Sequence, residues 1–429
     1  MRPRIHFVSN GVFTTSIAGG DIHFMKLAEA AASAGYDVNY FGGHALREVI
    51  ENHRLPGTVT LTDEAKLPKV NAGALGGQFA LFRDMYARYR RTLALRERIG
   101  PEDHVYAVSD YWFDVVPAVR CAARRKLMVL HMEAPTFGQI ITRGRPDVDP
   151  MRLASLHYWA SQAWSLRRFA ACESARTVGL SPSPPSEGGE GWGEEGAAKR
   201  DGEKPTVPRI HLLYLHPLME PRLSALGIGP DRRTLLSYGL ELGPTDAVPE
   251  QPRAYDAVWI GRVHRQKGID DLLATLRHLA ARLPNFKCIV IGNVLDALAP
   301  EIAARGLEKH VEFSGFVTEE EKIRLFKASR VFLMPSKHEG SPRVIGESLI
   351  CKTPVVAYDI PNYRPLFGDF VRYSPPFDLD AFKAAAEREI LAMRGGKNYF
   401  DAMDLSRFRH ENSWESTQAK FLAALESLR

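Results

Sequence analysis

The sequence predicts an α/β protein made of two doubly wound, Rossmann-like domains. Three observations carry that prediction. The chain has 429 residues, more than one core organises, so two or three domains are expected. Short apolar runs alternate with stretches of helical periodicity in both halves, the pattern of parallel sheets covered on both faces. Several of these runs lead into glycine- or charge-bearing loops ahead of a helix, where ligands of open α/β sheets bind.

In the first half, residues 4–8 read as a strand and 9–20 as a loop. A helix follows over 21–34, with Ile22, Phe24, Leu27, Ala28 and Ala31 near helical spacing, and Gly35 ends it. Strands are expected at 37–41, 105–109 and 127–131, and a long helix at 151–169. Residues 182–206 are low-complexity, with almost nothing to bury, and read as a disordered insertion. Order resumes at 208–214, and in the second half strands are expected at 257–260, 287–291, 311–313, 331–335 and 354–358. A helix lies over 269–282, another is opened by Thr318 as a capping box, and an amphipathic helix starts near Ser413. The domains are placed at 1–207 and 208–395, with a helical segment at 396–429.

Composition narrows the function classes. Hydrophobic content of 45% and charged content of 25% are those of a soluble globular protein. A net charge of +5 gives no nucleic-acid stripe, so no nucleic-acid partner is expected. The four cysteines (Cys121, Cys172, Cys288, Cys351) are far apart and read as reduced, structural and cytoplasmic. The N-terminal residues enter a strand without a signal-peptide-like apolar region, and no apolar run is long enough to span a membrane.

The most informative segment runs from Glu339 to Glu347. It places two carboxylates eight positions apart across a loop-to-helix junction. Ser341 reads as the N-cap and Pro342 as the first helical residue, with the helix over 342–351. The backbone amides of Arg343 and Val344 then fall among the unpaired donors of the first turn, a site suited to phosphate. Two acidic side chains beside it can accept hydrogen bonds from sugar or ribose hydroxyls. Glu347 also fits an i,i+4 ion pair with Arg343. About 70 residues earlier, Gly261-Arg262 and Lys267-Gly268 frame a loop between a strand and a helix. Arg forks onto phosphate oxygens and Lys supplies a point charge; a surface role is the alternative for both. Gly19 and Gly20 close the first loop and fit either a phosphate approach or a plain turn. His131 ends a strand, in either a structural or a ligand-facing role; Asp110 reads as a helix cap. Residues 82–98 form a helix with Arg83, Arg88, Arg90, Arg91, Arg96 and Arg98, with Phe82, Met85, Tyr89 and Leu93 on one face. An ordinary surface helix is favoured there, and a contact with an anionic membrane is the alternative.

The Glu339–Glu347 segment resembles the E-x7-E motif of family 4 glycosyltransferases, which are retaining enzymes of the GT-B fold. The likeness extends through Cys351-Lys-Thr-Pro-Val-Val-Ala357, where Lys352 stands in place of the family's usual glycine, and to the Gly-Arg-x4-Lys-Gly run. It implies two Rossmann-like domains facing across a cleft, and transfer of a hexosyl unit from a UDP-, GDP- or ADP-sugar. The acceptor would be a glycan, a lipid-linked acceptor or a small molecule, with no cofactor and no metal. It implies that Glu339, Gly340 and Ser341 contact the donor sugar and Glu347 the ribose. Arg262, Lys267, Gly19, Gly20, Arg343 and Val344 would hold the diphosphate, and His131 would reach the sugar's far hydroxyl. Phe316 and Val317 would read the base through their backbone. A cytoplasmic enzyme is the expected setting, with peripheral contact at the inner membrane face through residues 83–98 as the alternative. A nucleotide-sugar epimerase of the same fold and a non-catalytic sugar-nucleotide-binding scaffold are the alternatives.

Overall fold

The structure, a computed structural model, describes residues 2–12, 19–65, 75–142, 152–178 and 208–429. The insertion expected at 182–206 lies outside the described residues. Strands β1 (Arg4–Val8), β2 (Asp37–Gly42), β3 (Thr58–Leu61), β4 (His104–Ala107), β5 (Arg125–Leu130), β6 (Arg209–Tyr214) and β7 (Arg233–Leu235) form one parallel sheet, ordered β3-β2-β1-β4-β5-β6-β7. Strands β8 (Tyr255–Ile260), β9 (Cys288–Ile291), β10 (Val311–Gly315), β11 (Ser329–Met334), β12 (Val355–Tyr358) and β13 (Arg372–Ser374) form a second, ordered β10-β9-β8-β11-β12-β13. Both orders reverse at the first strand of the sheet, which opens a crevice at its carboxyl end.

The helices of the first part are α1 (Gly19–Ser33), α2 (His44–Asn52), α3 (Leu75–Ala94), α4 (Trp112–Arg120), α5 (Phe137–Thr142), α6 (Arg152–Val178) and α7 (Glu220–Ala225). Those of the second part are α8 (Leu242–Ala247), α9 (Ile269–Arg282), α10 (Leu295–Ala303), α11 (Glu319–Lys327), α12 (Arg343–Ile350), α13 (Arg364–Phe367) and α14 (Leu379–Arg394), followed by α15 (Ser406–Asn412) and α16 (Trp414–Ser427). The central strands are buried on both faces, and so read as unbroken apolar runs such as Leu127–Leu130 and Val331–Met334. Separate apolar clusters cover the two faces of the first sheet, and a third fills the second domain.

The boundary expected at 207/208 is corrected. Strand β6 pairs with β5 and β7 with β6 in the first sheet, so the first domain continues to about Leu236. The low-complexity run imitates a linker in composition, but it interrupts the crossover from β5 to β6. The chain crosses between the sheets twice, side by side: Leu240 N donates to Asn412 O at 2.8 Å, and Leu240 bridges Ser413. After the second crossing, Ser413 caps α16 by accepting from Ser416 N at 3.0 Å. That helix lies on α1, where Gln418 donates to Lys26 O at 3.0 Å and Phe421 and Leu425 enter the first domain's core.

Candidate functional site

The second domain's half of the site is two loops locked together. Gly268 has φ +65°, and a Cβ there would collide with the Pro335 carbonyl, so only glycine lets the loop after β8 touch the loop after β11. Gln266 then donates to His338 O at 2.7 Å, and Lys337 N donates to Gln266 O at 2.8 Å. This contact brings Lys267 Nζ to 2.6 Å from Glu339 Oε1. Asn362 holds the same loop from below, donating to Glu339 O at 2.5 Å. Glu339 is buried and Lys267 largely so, which makes this a partly desolvated, charge-assisted pair. Arg262, in contrast, is exposed at the rim, and no hydrogen bond or ion pair holds it among the described residues.

Helix α12 begins one residue later than expected. Pro342 is its N-cap, with extended backbone, and no side chain caps it, so Ser341 is not the cap. Arg343 and Val344 are the first helical residues, and first-turn amides lack intrahelical partners. Glu347 is buried in the second turn. Its Oε1 lies 2.9 Å from Arg343 Nε and 3.0 Å from Lys322 Nζ, and Lys322 also meets Glu319 at 2.8 Å. Burial alone would raise the Glu347 carboxyl, but Lys322 and Arg343 outweigh it and hold the group below its ordinary range. The ion pair with Arg343 thus exists, alongside the one with Lys322. The helix closes in a Schellman motif, with Lys352 N on Leu349 O at 2.9 Å and Thr353 N on Ser348 O at 3.0 Å. Lys352 takes the left-handed conformation there, φ +52°, at the position where glycine is usual, so that replacement strains the helix end and leaves the site alone.

The first domain's half is built from neutral or shielded groups. Gly19 and Gly20 are the first two residues of α1 rather than the end of a loop, because the helix starts two residues earlier than its apolar spacing indicates. Gly20 lies over the His131 ring; a Cβ on it would sit 3.5 Å from His131 Cε1. His131 Nε2 donates to Val108 O at 3.0 Å, while its Nδ1 makes no hydrogen bond among the described residues. Beside it, His23 is fully buried, and desolvation together with the His131 charge lowers its pKa to about 3, so it stays neutral. Asp110 is not a helix cap. Tyr111 is the N-cap of α4, and Asp110 turns under α6, accepting from Gln162 Nε2 at 2.5 Å and Tyr158 OH at 3.0 Å. Burial pushes its carboxyl up. Asp114, in the first turn of α4, accepts from Asn10 N at 2.7 Å and Ser109 Oγ at 2.5 Å, and burial raises it to about 7.

The two halves meet at Gly340. A Cβ there would lie 3.2 Å from Met132 Cβ and 3.8 Å from His131 O. A direct bond joins the domains nearby, from His216 Nε2 to Asn362 O at 2.8 Å. Phe316 and Val317 follow β10 on the far side of the second sheet. Phe316 is 84% exposed, and the preceding Gly315 carbonyl accepts from Gly292 N. Within α3 the basic face is smaller than the sequence indicates: Arg88 is buried, paired with Asp63 at 3.1 Å and Asp84 at 2.7 Å. Phe82 points outward with Phe79 and Tyr86, while Met85, Tyr89 and Leu93 are half-buried. Lys322, Asn362 and Gln162 are invisible in the sequence as site residues, since each acts from another element on a partner far away along the chain. Among the described residues, no cluster of three or more His, Cys, Asp or Glu side chains is placed to hold a metal ion. No helix there is long and apolar enough to cross a membrane.

Two twisted parallel sheets, switch points facing each other and a double crossing between them, define the GT-B fold of glycosyltransferases. Sucrose-phosphate synthase from Thermosynechococcus elongatus superposes over 100% of this chain and 99% of its own, with TM-score 0.65 at 17% identity. Anabaena HepE in complex with UDP and glucose covers 99% and 100%, with TM-score 0.61 at 15% identity. Residues 247–391 match the family model of glycosyl transferases group 1. In sequence, the α-D-kanosaminyltransferase of Streptomyces kanamyceticus is 26% identical over 135 residues, 30% of this chain and 35% of that protein. The D-inositol 3-phosphate glycosyltransferase of a Mycobacterium species is 27% identical over 225 residues, 47% and 50%. The matched stretches therefore span between about a third and a half of these curated relatives.

Proposed function

We propose that the chain is a retaining glycosyltransferase of family 4, moving a hexosyl unit from a nucleotide-diphosphate sugar to a hydroxylated acceptor. The observation that carries the reading is the Lys267–Glu339 pair, set beside the open amides of α12 and against the His131–Met132 backbone of the opposite domain. Glu339 would hold the sugar hydroxyls, and Glu347 the ribose. Arg262, Lys267 and the amides of Arg343 and Val344 would take the diphosphate, with Gly19 and Gly20 closing from across the cleft. The bond from the anomeric carbon to phosphate breaks, and the diphosphate leaves with the electron pair. The acceptor oxygen attacks from the same face, and its proton passes to a phosphate oxygen. The cations stabilise the departing charge. No metal is required in this scheme. His131 would serve the sugar's far hydroxyl through Nδ1, and Phe316 and Val317 would border the base. The exposed Phe79, Phe82 and Tyr86, with Arg83 and Arg90, suit a peripheral contact with an anionic bilayer that carries a lipid-linked acceptor.

HepE was solved with UDP and glucose, so UDP and UDP-sugars are the first ligands to try, followed by GDP, ADP and their sugars. Thermal shift and calorimetry with and without EDTA test the reading. One nucleotide is expected to stabilise the protein equally in both conditions, with the response lost in the Arg262→Ala/Lys267→Ala double variant. Absence of binding to all of them would overturn the transferase assignment.

A further inference from the structure

A second polar cluster lies at the carboxyl end of the first sheet, away from the donor groups. Asp63, just after β3, is buried, and its Oδ1 accepts from His44 N at 3.0 Å and from His44 Nδ1 at 2.6 Å. Its Oδ2 lies 3.1 Å from Arg88 Nη2. Arg88 reaches on to the loop after β1, donating to Asn10 O at 3.2 Å and Val12 O at 2.9 Å. This ion pair lies directly beneath the chain at Gly43, where a Cβ would collide with both Asp63 and Arg88. Three loops are thereby fixed, and the His44 side chain is one-third open to solvent. A carboxylate that served only to cap α2 would need the His44 amide and no imidazole. Here the ring is engaged as well. With Nδ1–H given to Asp63, the nitrogen left for a ligand is Nε2, which can hydrogen-bond a hydroxyl.

Topology sets the range of that nitrogen. His44 follows β2 and His131 follows β5, at the same end of the sheet and three strands apart. Three interstrand spacings of about 4.8 Å place them roughly 14 Å from one another, farther than one sugar ring spans. We propose that His44, oriented by Asp63, binds a hydroxyl on the distal part of an extended acceptor, one of at least two sugar units. The proposal rests on the transferase reading above, since it takes the first domain as the acceptor side.

Saturation-transfer NMR with methyl glucoside, methyl mannoside and their α-linked di- and trisaccharides tests it, in the presence of the nucleotide that stabilises the protein. The wild-type protein is expected to bind the trisaccharides. His44→Ala should weaken that binding about tenfold, equivalent to the ~1.4 kcal/mol of one hydrogen bond, and leave nucleotide affinity and monosaccharide binding unchanged. His44→Phe keeps the ring volume and should behave as the alanine variant does, which covers the case where His44→Ala does not fold. Trisaccharide binding unaltered in both variants, or none in the wild-type protein with nucleotide bound, overturns the proposal. Absence of any nucleotide binding instead sinks the transferase reading, and this inference with it.

Discussion

The two walls of the cleft solve opposite electrostatic problems. On the second domain, every buried acid of the site has a cation: Lys267 for Glu339, and Lys322 with Arg343 for Glu347. On the first, Asp110 and Asp114 are buried among amides and hydroxyls, both pushed up by desolvation, and His23 is pushed down. A charged wall fits a partner whose charge is constant, such as a diphosphate. A wall of shielded dipoles can hold its shape while the acceptor changes. The family model falls on the charged side of this division, at residues 247–391.

The largest effect should come from the charged wall. Glu339→Ala is expected to lower turnover by ~10²–10³ while nucleotide affinity stays near wild type, and steady-state kinetics with matched calorimetry would separate the two. A variant with wild-type turnover would mean that the pair is only structural. Next in size is Lys322→Ala. Its loss leaves Glu347 with Arg343 alone, so the carboxyl should rise toward its ordinary range and nucleotide binding should weaken several-fold. If affinity is unchanged from pH 5 to 8, Lys322 does not position Glu347. The smallest effect tests the neutral wall. The Asp114 carboxyl is raised to about 7 in the fold, above its unfolded value of about 3.9. Its contribution is fully present below the unfolded value and is lost as pH rises through 7, at about 1.4 kcal/mol for each pH unit between the two. Asp114→Asn should therefore flatten the fall in melting temperature between pH 4 and 8 without altering activity at pH 7. An equally steep fall in the variant would show that Asp114 is ionised throughout.

Much of the second domain can be read from sequence because its site is local. Loop, strand and helix follow one another within Ser329–Ile350, and a capping residue, a turn glycine or a charge each has a nearby consequence. Thr318 illustrates this: its hydroxyl accepts from Glu321 N at 3.2 Å, as its spacing predicts. The first domain is harder to read because its polar groups find partners 50 or more residues away, as Asp110 does in Gln162 and Asn10 does in Thr92. Asp110 reads as a cap because a carboxylate two residues before a helix usually is one. Arg88 reads as a surface cation because periodicity ranks residues by face and cannot register an acid reaching in from the end of β3. The misplaced boundary has a similar cause: composition marks a low-complexity run, not where a sheet ends.

The paired crossings at Leu240 and Asn412 carry a further consequence. Residues 241–411 enter and leave the first domain at a single point, held by one backbone hydrogen bond and a β-bridge. They amount to a cassette inserted into a host. Two cuts at neighbouring positions would release it, and a foreign cassette of the same fold could be spliced in with no linker to design. On the proposed assignment, such grafting would let donor chemistry be exchanged by recombination while the acceptor surface stays as it is.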